Sequence, residues 1–261
     1  MSRHEAAAAT TPITLDDFLR AIEAIDLADA DDLWHARGPL RALAADPGWL
    51  VTRLADELAA GVERFQQDNL YDAHTLLLAH DPRFLLRANL WAPLDGPTPT
   101  ADPRDFSYEI AHNHNFHLLS VGMLGPGYET DLFALAEVDR LLRPGDPVTL
   151  APAGRARLGP GEVLLYEAYR DVHVQHPAPA LSVSLNLMTR PKVGDLPQVV
   201  LDPSRGVVTE VLEGRVDGRL HLAEAASELL GAEGHAVLAR VAAADPSPRV
   251  RAAAQRALRR S

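Results

Sequence analysis

Two periods of apolar residues divide the chain. Between Leu15 and Phe65 they recur at helical spacing: Leu15, Phe18, Leu19, Ile22 and Ile25 in "TLDDFLRAIEAI", then Leu50, Leu54, Leu58, Val62 and Phe65 in "GWLVTRLADELAAGVERFQQ". A stripe of this period is one face of an amphipathic helix packed on a core. Thr14 precedes the first stripe as an N-cap, and Asp16 and Asp17 place negative charge in the first turn, where the helix dipole favours it. From Phe84 the period falls to two. "FLLRANLWAP", "FSYEIAHNHNF", "HLLSVGML", "YETDLFALA", "EVLLYEAYRDVHV" and "ALSVSLNLM" read as strands, separated by the turn signals "DGPTPTADP", "GPG", "RPGDP" and "LGPGE". "QVVLDP" and "GVVTEVLEG" add a last hairpin. Many short strands with Gly/Pro turns favour a barrel or sandwich over a parallel βαβ sheet. From about His221 the helical period returns, and "DPSPRVRAAAQRAL" sets Val250, Ala253, Ala254 and Leu258 on one face.

The fold class is therefore mixed α+β. The expected organisation is a disordered lead over 1–12, a helical segment over 13–80 packed on a β-barrel at 81–215, and a helical hairpin as a tail over 216–261. Hydrophobic residues make up 47% of the 261 positions, ample for a packed core. No run approaches 18 uninterrupted apolar residues, so no membrane span is expected. The start, "MSRHEAAAATTPITLDD", lacks an apolar signal core, which points to a cytoplasmic protein. A net charge of −11 argues against a nucleic-acid partner, whose phosphates need a basic face. There is no cysteine, so a metal has to be held by histidine and carboxylate.

Histidine is concentrated where the strands are. "AHNHNFHLLS" carries His112, His114 and His117, and "YRDVHVQHP" carries His173 and His176. His112 and His114 are two apart, so on a strand both rings point to one face and reach one ion. His117 has the other parity relative to His114, which suits a supporting position outside the ligand set.

An H-x-H pair with a distant third histidine is the arrangement of a cupin metal site, and residues 84–191 resemble the cupin fold, in particular its cysteine-dioxygenase-like branch. The first motif is His112-Asn113-His114 followed by "HLLSVGMLGPGYETDLF", with Gly125 or Gly127 as its closing glycine; the second is Gly159-Pro160-Gly161-Glu162 followed by "YEAYRDVHVQ" with His173. The resemblance implies a double-stranded β-helix, with His112, His114 and His173 as ligands and the third coming from a strand across the barrel. Leu118 and Leu119 stand where ordinary cupins add a glutamate, which is similar to the three-histidine iron sites of thiol dioxygenases. It implies Fe(II), although Zn, Ni, Mn or Cu fit the same ligands. That branch carries Ser-x-His-x-Tyr on a later strand; here the stretch is Ser184-Leu185-Asn186-Leu187-Met188, so cysteine oxidation is not expected. The tail segment "DPSPRVRAAAQRAL" resembles a HEAT-type repeat, too short to stand as a solenoid alone; it packs on the barrel or pairs with a partner, including a second copy in a homodimer.

The expected function is a mononuclear metal-dependent oxygenase acting with O2 on a small polar molecule. The alternatives are a non-redox metal cupin, isomerase or hydrolase, and a non-catalytic binding module. Candidate substrate contacts are Ser184, Asn186, Arg87 (as partner of an acid group) and Tyr169, with His176 at the entrance and Tyr166 and Arg170 nearby. On the strand Ser182–Met188 the period alone turns the polar residues outward, whereas the resemblance turns Ser184 and Asn186 into the cavity; both readings stay open at this point.

Overall fold

The computed structural model describes residues 2–61, 63, 66, 69, 74–94, 106–190, 196–212, 215–229 and 231–260. Val62, Phe65 and the whole "DGPTPTADP" turn, for which expectations are stated above, lie outside them. Helices α1 (Leu15–Ala21), α2 (Ala30–Leu33), α3 (Arg37–Ala44) and α4 (Gly48–Ala59) come first. Thr14 caps α1 in a reciprocal box with Asp17, as its sequence promised. The helical segment ends earlier than expected, at Ala59 beside the left-handed Gly61, and Thr75–His80 forms a strand instead. Leu58, counted in the second stripe, is 75% exposed.

The strands are β1 (Arg3–Glu5), β2 (Thr75–His80), β3 (Phe84–Trp91), β4 (Ala111–Asn113), β5 (Leu118–Leu124), β6 (Glu129–Leu135), β7 (Leu150–Arg157), β8 (Val163–Tyr166), β9 (Asp171–Gln175), β10 (Ser182–Thr189), β11 (Gln198–Asp202) and β12 (Val207–Leu212). They form two six-stranded antiparallel sheets, ordered β1-β8-β5-β10-β3-β2 and β12-β11-β4-β9-β6-β7. No ladder among the described residues joins one sheet to the other, so the expected barrel is corrected to two open sheets, each ending in its own edge strands. The lead is corrected as well: Arg3–Glu5 pairs with Val163–Leu165 as an edge strand. Glu5 holds it by ion pairs to Arg37 and Arg41, and the Arg41 guanidinium also donates to the carbonyls of Ala6 and Gly161. Two segments expected as single strands are broken by residues in left-handed backbone. Ser107 and Glu109 delay β4, and Tyr169 separates β8 from β9.

Alternation along the strands fills three layers. Leu86, Ala88, Leu119, Val121, Val163, Leu165, Val183, Leu185 and Leu187 pack under the helices with Phe18, Leu40 and Leu43. The opposite face of the same sheet supplies Trp91, Leu118, Leu164, Tyr166 and Met188 to the space between the sheets, where Tyr128, Leu132 and Phe116 join them. Val172, Val199, Leu201 and Val208 close the outer face of the second sheet. β10 is thus buried along its whole length, covered by helices on one side and by the second sheet on the other.

The tail is three helices rather than a hairpin: α5 (Arg215–Leu229), α6 (Gly231–Ala244) and α7 (Pro248–Leu258). The pattern begins six residues before His221, and Gly231, in left-handed backbone, divides it. Val250, Ala253, Ala254 and Ala257 of α7 are buried; Ala253, Ala254 and Ala257 close on Ala223 and Leu238 of the other two helices. No helix among the described residues is long and apolar enough to cross a membrane.

Candidate metal centre

β4 lies between β11 and β9, and its residue His112 stands directly opposite His173 of β9. His114, just past the end of β4, repeats the orientation of His112, while Asn113 between them points the other way. There its side chain donates to the Tyr169 carbonyl at 3.0 Å and accepts from the Val199 amide at 2.8 Å. The third ligand candidate therefore comes from the neighbouring strand of the same sheet, not from across a barrel. In-register pairing accomplishes what a closed barrel would otherwise have to do.

The three rings are 8%, 7% and 4% exposed, so they sit in a dry interior. The Nε2 of His173 is 3.1 Å from that of His114 and 3.1 Å from that of His112. Two imidazole nitrogens bound to one ion at about 2.1 Å and at right angles are about 3 Å apart. The outer nitrogens decide the tautomers. His112 Nδ1 lies 2.9 Å from the Ile110 carbonyl, which only accepts, so Nδ1 carries the proton. His114 Nδ1 lies 3.2 Å from Gln198 Oε1, again an acceptor. The Thr130 hydroxyl donates its proton to the Val174 carbonyl at 3.2 Å, and so turns a lone pair toward His173 Nδ1 at 3.5 Å. In each ring the proton is then on Nδ1, and three Nε2 lone pairs converge on one point.

Burial holds His112 below the usual imidazole range, and holds His114 and His173 well below it, with mutual repulsion between the rings adding to the last two. The rings are neutral at pH 7 and ready to ligate. Three buried lone pairs facing one another without a proton between them suit a cation, and they are the one such cluster among the described residues. Phe116 stacks on His114 at 4.8 Å, and the Tyr166 ring is 4.5 Å from that of His173. The Tyr166 hydroxyl reaches toward Thr130 and Tyr128, behind His173, and burial pushes its pKa well above the phenol range. Gln198 and Thr130 were invisible to sequence reasoning, because strand register rather than sequence distance brings them here.

The other sequence candidates separate cleanly. Arg87 alternates with the helix-facing Leu86 and Ala88, so it points between the sheets with Leu85 and Trp91. Its charge acts on His114 and on Tyr128. Ser184 and Asn186 also face inward, but within a buried ladder: Trp91 Nε1 donates to Ser184 Oγ at 2.9 Å, Asn186 Nδ2 to Asn89 Oδ1 at 2.8 Å, and Asn89 Nδ2 to Thr75 Oγ1 at 2.9 Å. His117 lies outside the cluster, its Nδ1 accepting the Ala168 amide at 3.0 Å and so fixing the loop before β9. Tyr169 lines a small surface cleft with Asn113, Arg140 and Val199, on the outer side of the second sheet. His176 is on that outer side too, between Glu109 at 2.8 Å and Asp131 at 3.0 Å.

No protein-family model matches the chain. No curated protein sequence matches it either. Among solved structures, the chain is similar to hydroquinone 1,2-dioxygenase from Sphingomonas sp. TTNP3 with 4-hydroxybenzoate bound, at 12% identity over 48% of this chain and 70% of that one, with a TM-score of 0.32. It is similar to hydroquinone 1,2-dioxygenase PnpCD in complex with Cd2+ and 4-hydroxybenzonitrile, at 14% identity over 47% and 67%, with a TM-score of 0.28. The DMSP lyase DddQ from Ruegeria pomeroyi DSS-3 matches at 13% identity over 71% and 77%, again with a TM-score of 0.28.

Proposed function

We propose that this chain is a mononuclear metal-dependent enzyme of the cupin type, holding a divalent ion through His112, His114 and His173 and oxidising a small polar organic acid with O2. One observation carries the reading: three buried, neutral imidazoles with their Nε2 atoms turned on one point. A three-imidazole ion keeps its full charge and open coordination positions, and as Fe(II) it supplies the electrons that O2 activation requires.

The chain's own residues define the rest. Arg87, facing the same interior, neutralises the acid group of the substrate. Phe116 and Tyr166 exclude water around the ligands. Ser184 and Asn186 shape the wall that carries Arg87, since most of their hydrogen-bonding capacity is used within the ladder. Asn186 and Met188 stand where the cysteine-dioxygenase-like branch has His and Tyr, and neither transfers a proton at neutral pH. The substrate of this reading is therefore not cysteine. The C-terminal helices, whose HEAT-type likeness rests on sequence, serve protein contacts or pairing of two copies.

The test is metal analysis of anaerobically purified protein, followed by O2 uptake of the Fe(II)-loaded form with a panel of amino acids and organic acids. About one equivalent of metal and uptake with an organic acid support the reading. Metal without O2 uptake favours a non-redox metal enzyme. Protein that takes up no metal, or that rapidly converts cysteine to its sulfinic acid, overturns it.

A further inference from the structure

The strands opposite the metal centre carry one row of inward-facing residues whose register is fixed by pairing: Arg87 on β3 faces Asn186 on β10, and Asn186 faces Ser120 on β5. Neighbouring strands are about 4.8 Å apart, so the three side chains stand side by side across the wall. Asn186 is committed to Asn89 and Ser184. Ser120 is 0% exposed, and its Oγ has no hydrogen-bond partner among the described residues. On the facing wall, Gln175 lies two residues beyond His173 on the same face of β9, about 7 Å along the strand. It is 3% exposed, and its Nε2 also lacks a partner among the described residues.

A buried polar atom left unpaired costs about 1–3 kcal/mol, so native interiors rarely retain one without a use. Among such atoms of this interior, Ser120 Oγ lies on one wall beside the Arg87 row, together with Tyr166 Oη on β8, and Gln175 Nε2 lies on the other wall beside a ligand histidine. A carboxamide N–H donates and a serine hydroxyl donates or accepts, so a partner bearing carboxylate or hydroxyl oxygens satisfies both. We infer that Ser120 and Gln175 are substrate-binding residues that select a short-chain organic acid bearing a further oxygen function, a hydroxy or dicarboxylic acid, over the plain carboxylic acid of the same length. The inference rests on the metal-enzyme reading, because it takes the acid to be held between Arg87 and the metal centre. It adds what that reading leaves open, the chemistry of the rest of the molecule.

The experiment uses the full chain loaded with Co(II), whose visible spectrum reports ligands entering its coordination sphere, and titrates malate and butanoate by calorimetry. Wild type should bind malate at least tenfold more tightly than butanoate. Ser120→Ala and Gln175→Met should each weaken malate about tenfold and leave butanoate and the bound Co(II) unchanged. Ser120→Ala removes a single oxygen, so it keeps the test decisive if the glutamine variant fails to fold. Equal affinity for the two acids, or unchanged malate affinity in Ser120→Ala, overturns the inference; the second result means that the hydroxyl meets only a trapped water. If the protein takes up Co(II) normally but shows no malate preference, this inference alone fails. If it takes up no Co(II), the metal-enzyme reading fails and takes this one with it.

Discussion

His173 and His176 are three residues apart, yet they inhabit opposite chemical worlds. His173 faces the space between the sheets, 4% exposed, held neutral by burial and with Nε2 turned on two other imidazoles. His176 faces outward; burial lowers its pKa, but the hydrogen bonds and charges of Glu109 and Asp131 together outweigh burial and raise it, and Arg155 joins the group through Asp131 and Glu129. Strand parity decides which is which: an odd step along a strand reverses the face. The same side chain is thus a ligand candidate on one face of the second sheet and the partner of two carboxylates on the other. Histidine count alone does not reveal a metal site; the face does.

The sharpest way to break this contrast is substitution. His173→Ala should abolish stoichiometric metal, as should His112→Ala or His114→Ala, while His176→Ala should keep nearly all of it. Metal content after gel filtration checks this, and the opposite result would move the centre to the outer face. The two environments should also respond to acid with opposite signs. His112, His114 and His173 have folded-state values depressed below the unfolded value of about 6.5. Their contribution to stability is full above that value and is lost as pH falls below it. His176 has a raised value, so its contribution is present below about 6.5 and is lost as pH rises through the folded value. Metal-free protein should therefore lose stability between pH 7 and 5, and bound metal should steepen the loss because protons compete for its ligands. Urea midpoints across that range measure both.

The periods in the sequence disclosed the helices at the start, most strands, the last hairpin and the pair His112 and His114. They could not tell which face of β10 is inward, because both faces are buried. Leu185 packs under the helices and Asn186 is on the opposite face, bonded to Asn89 of its own sheet, and a period of two is silent on which cover is which. Four short segments also escaped: β1, which follows no apolar pattern and is held by Glu5 to Arg37 and Arg41, β2, expected within the helical segment, and the two breaks made by Glu109 and Tyr169 in left-handed backbone that non-glycine residues seldom adopt. The groups that support the ligands come from positions remote in sequence, Gln198 for His114 and Thr130 for His173, and only register brings them in. Composition gave no hint of them.

A milder probe of the inner face leaves the ligands in place and removes a partner. Gln198→Met should lower metal affinity about tenfold by freeing His114 to rotate and to take the other tautomer. Competition with a chromophoric chelator measures it. Unchanged affinity would mean that Phe116, stacked on the ring, is enough to orient His114.

The smallest effect belongs to the outer face. His176→Gln keeps the size and the hydrogen-bonding ability of the side chain but loses the charge that Glu109 and Asp131 surround. The site is part-exposed, with the His176 side chain 24% and the Glu109 side chain 58% accessible, so solvent screens the attraction and the net effect should stay below about 1 kcal/mol. Its sign depends on pH: the variant should be less stable than wild type at pH 5.5, where the imidazolium is charged in both states of the chain. The two should converge as pH rises past the raised folded value. Added salt should shrink the difference at pH 5.5, because the Debye length falls to about 3 Å at 1 M. A difference that persists unchanged in 1 M salt would mean that His176 acts through packing and not through charge. The contrast between the two faces would then be one of burial alone.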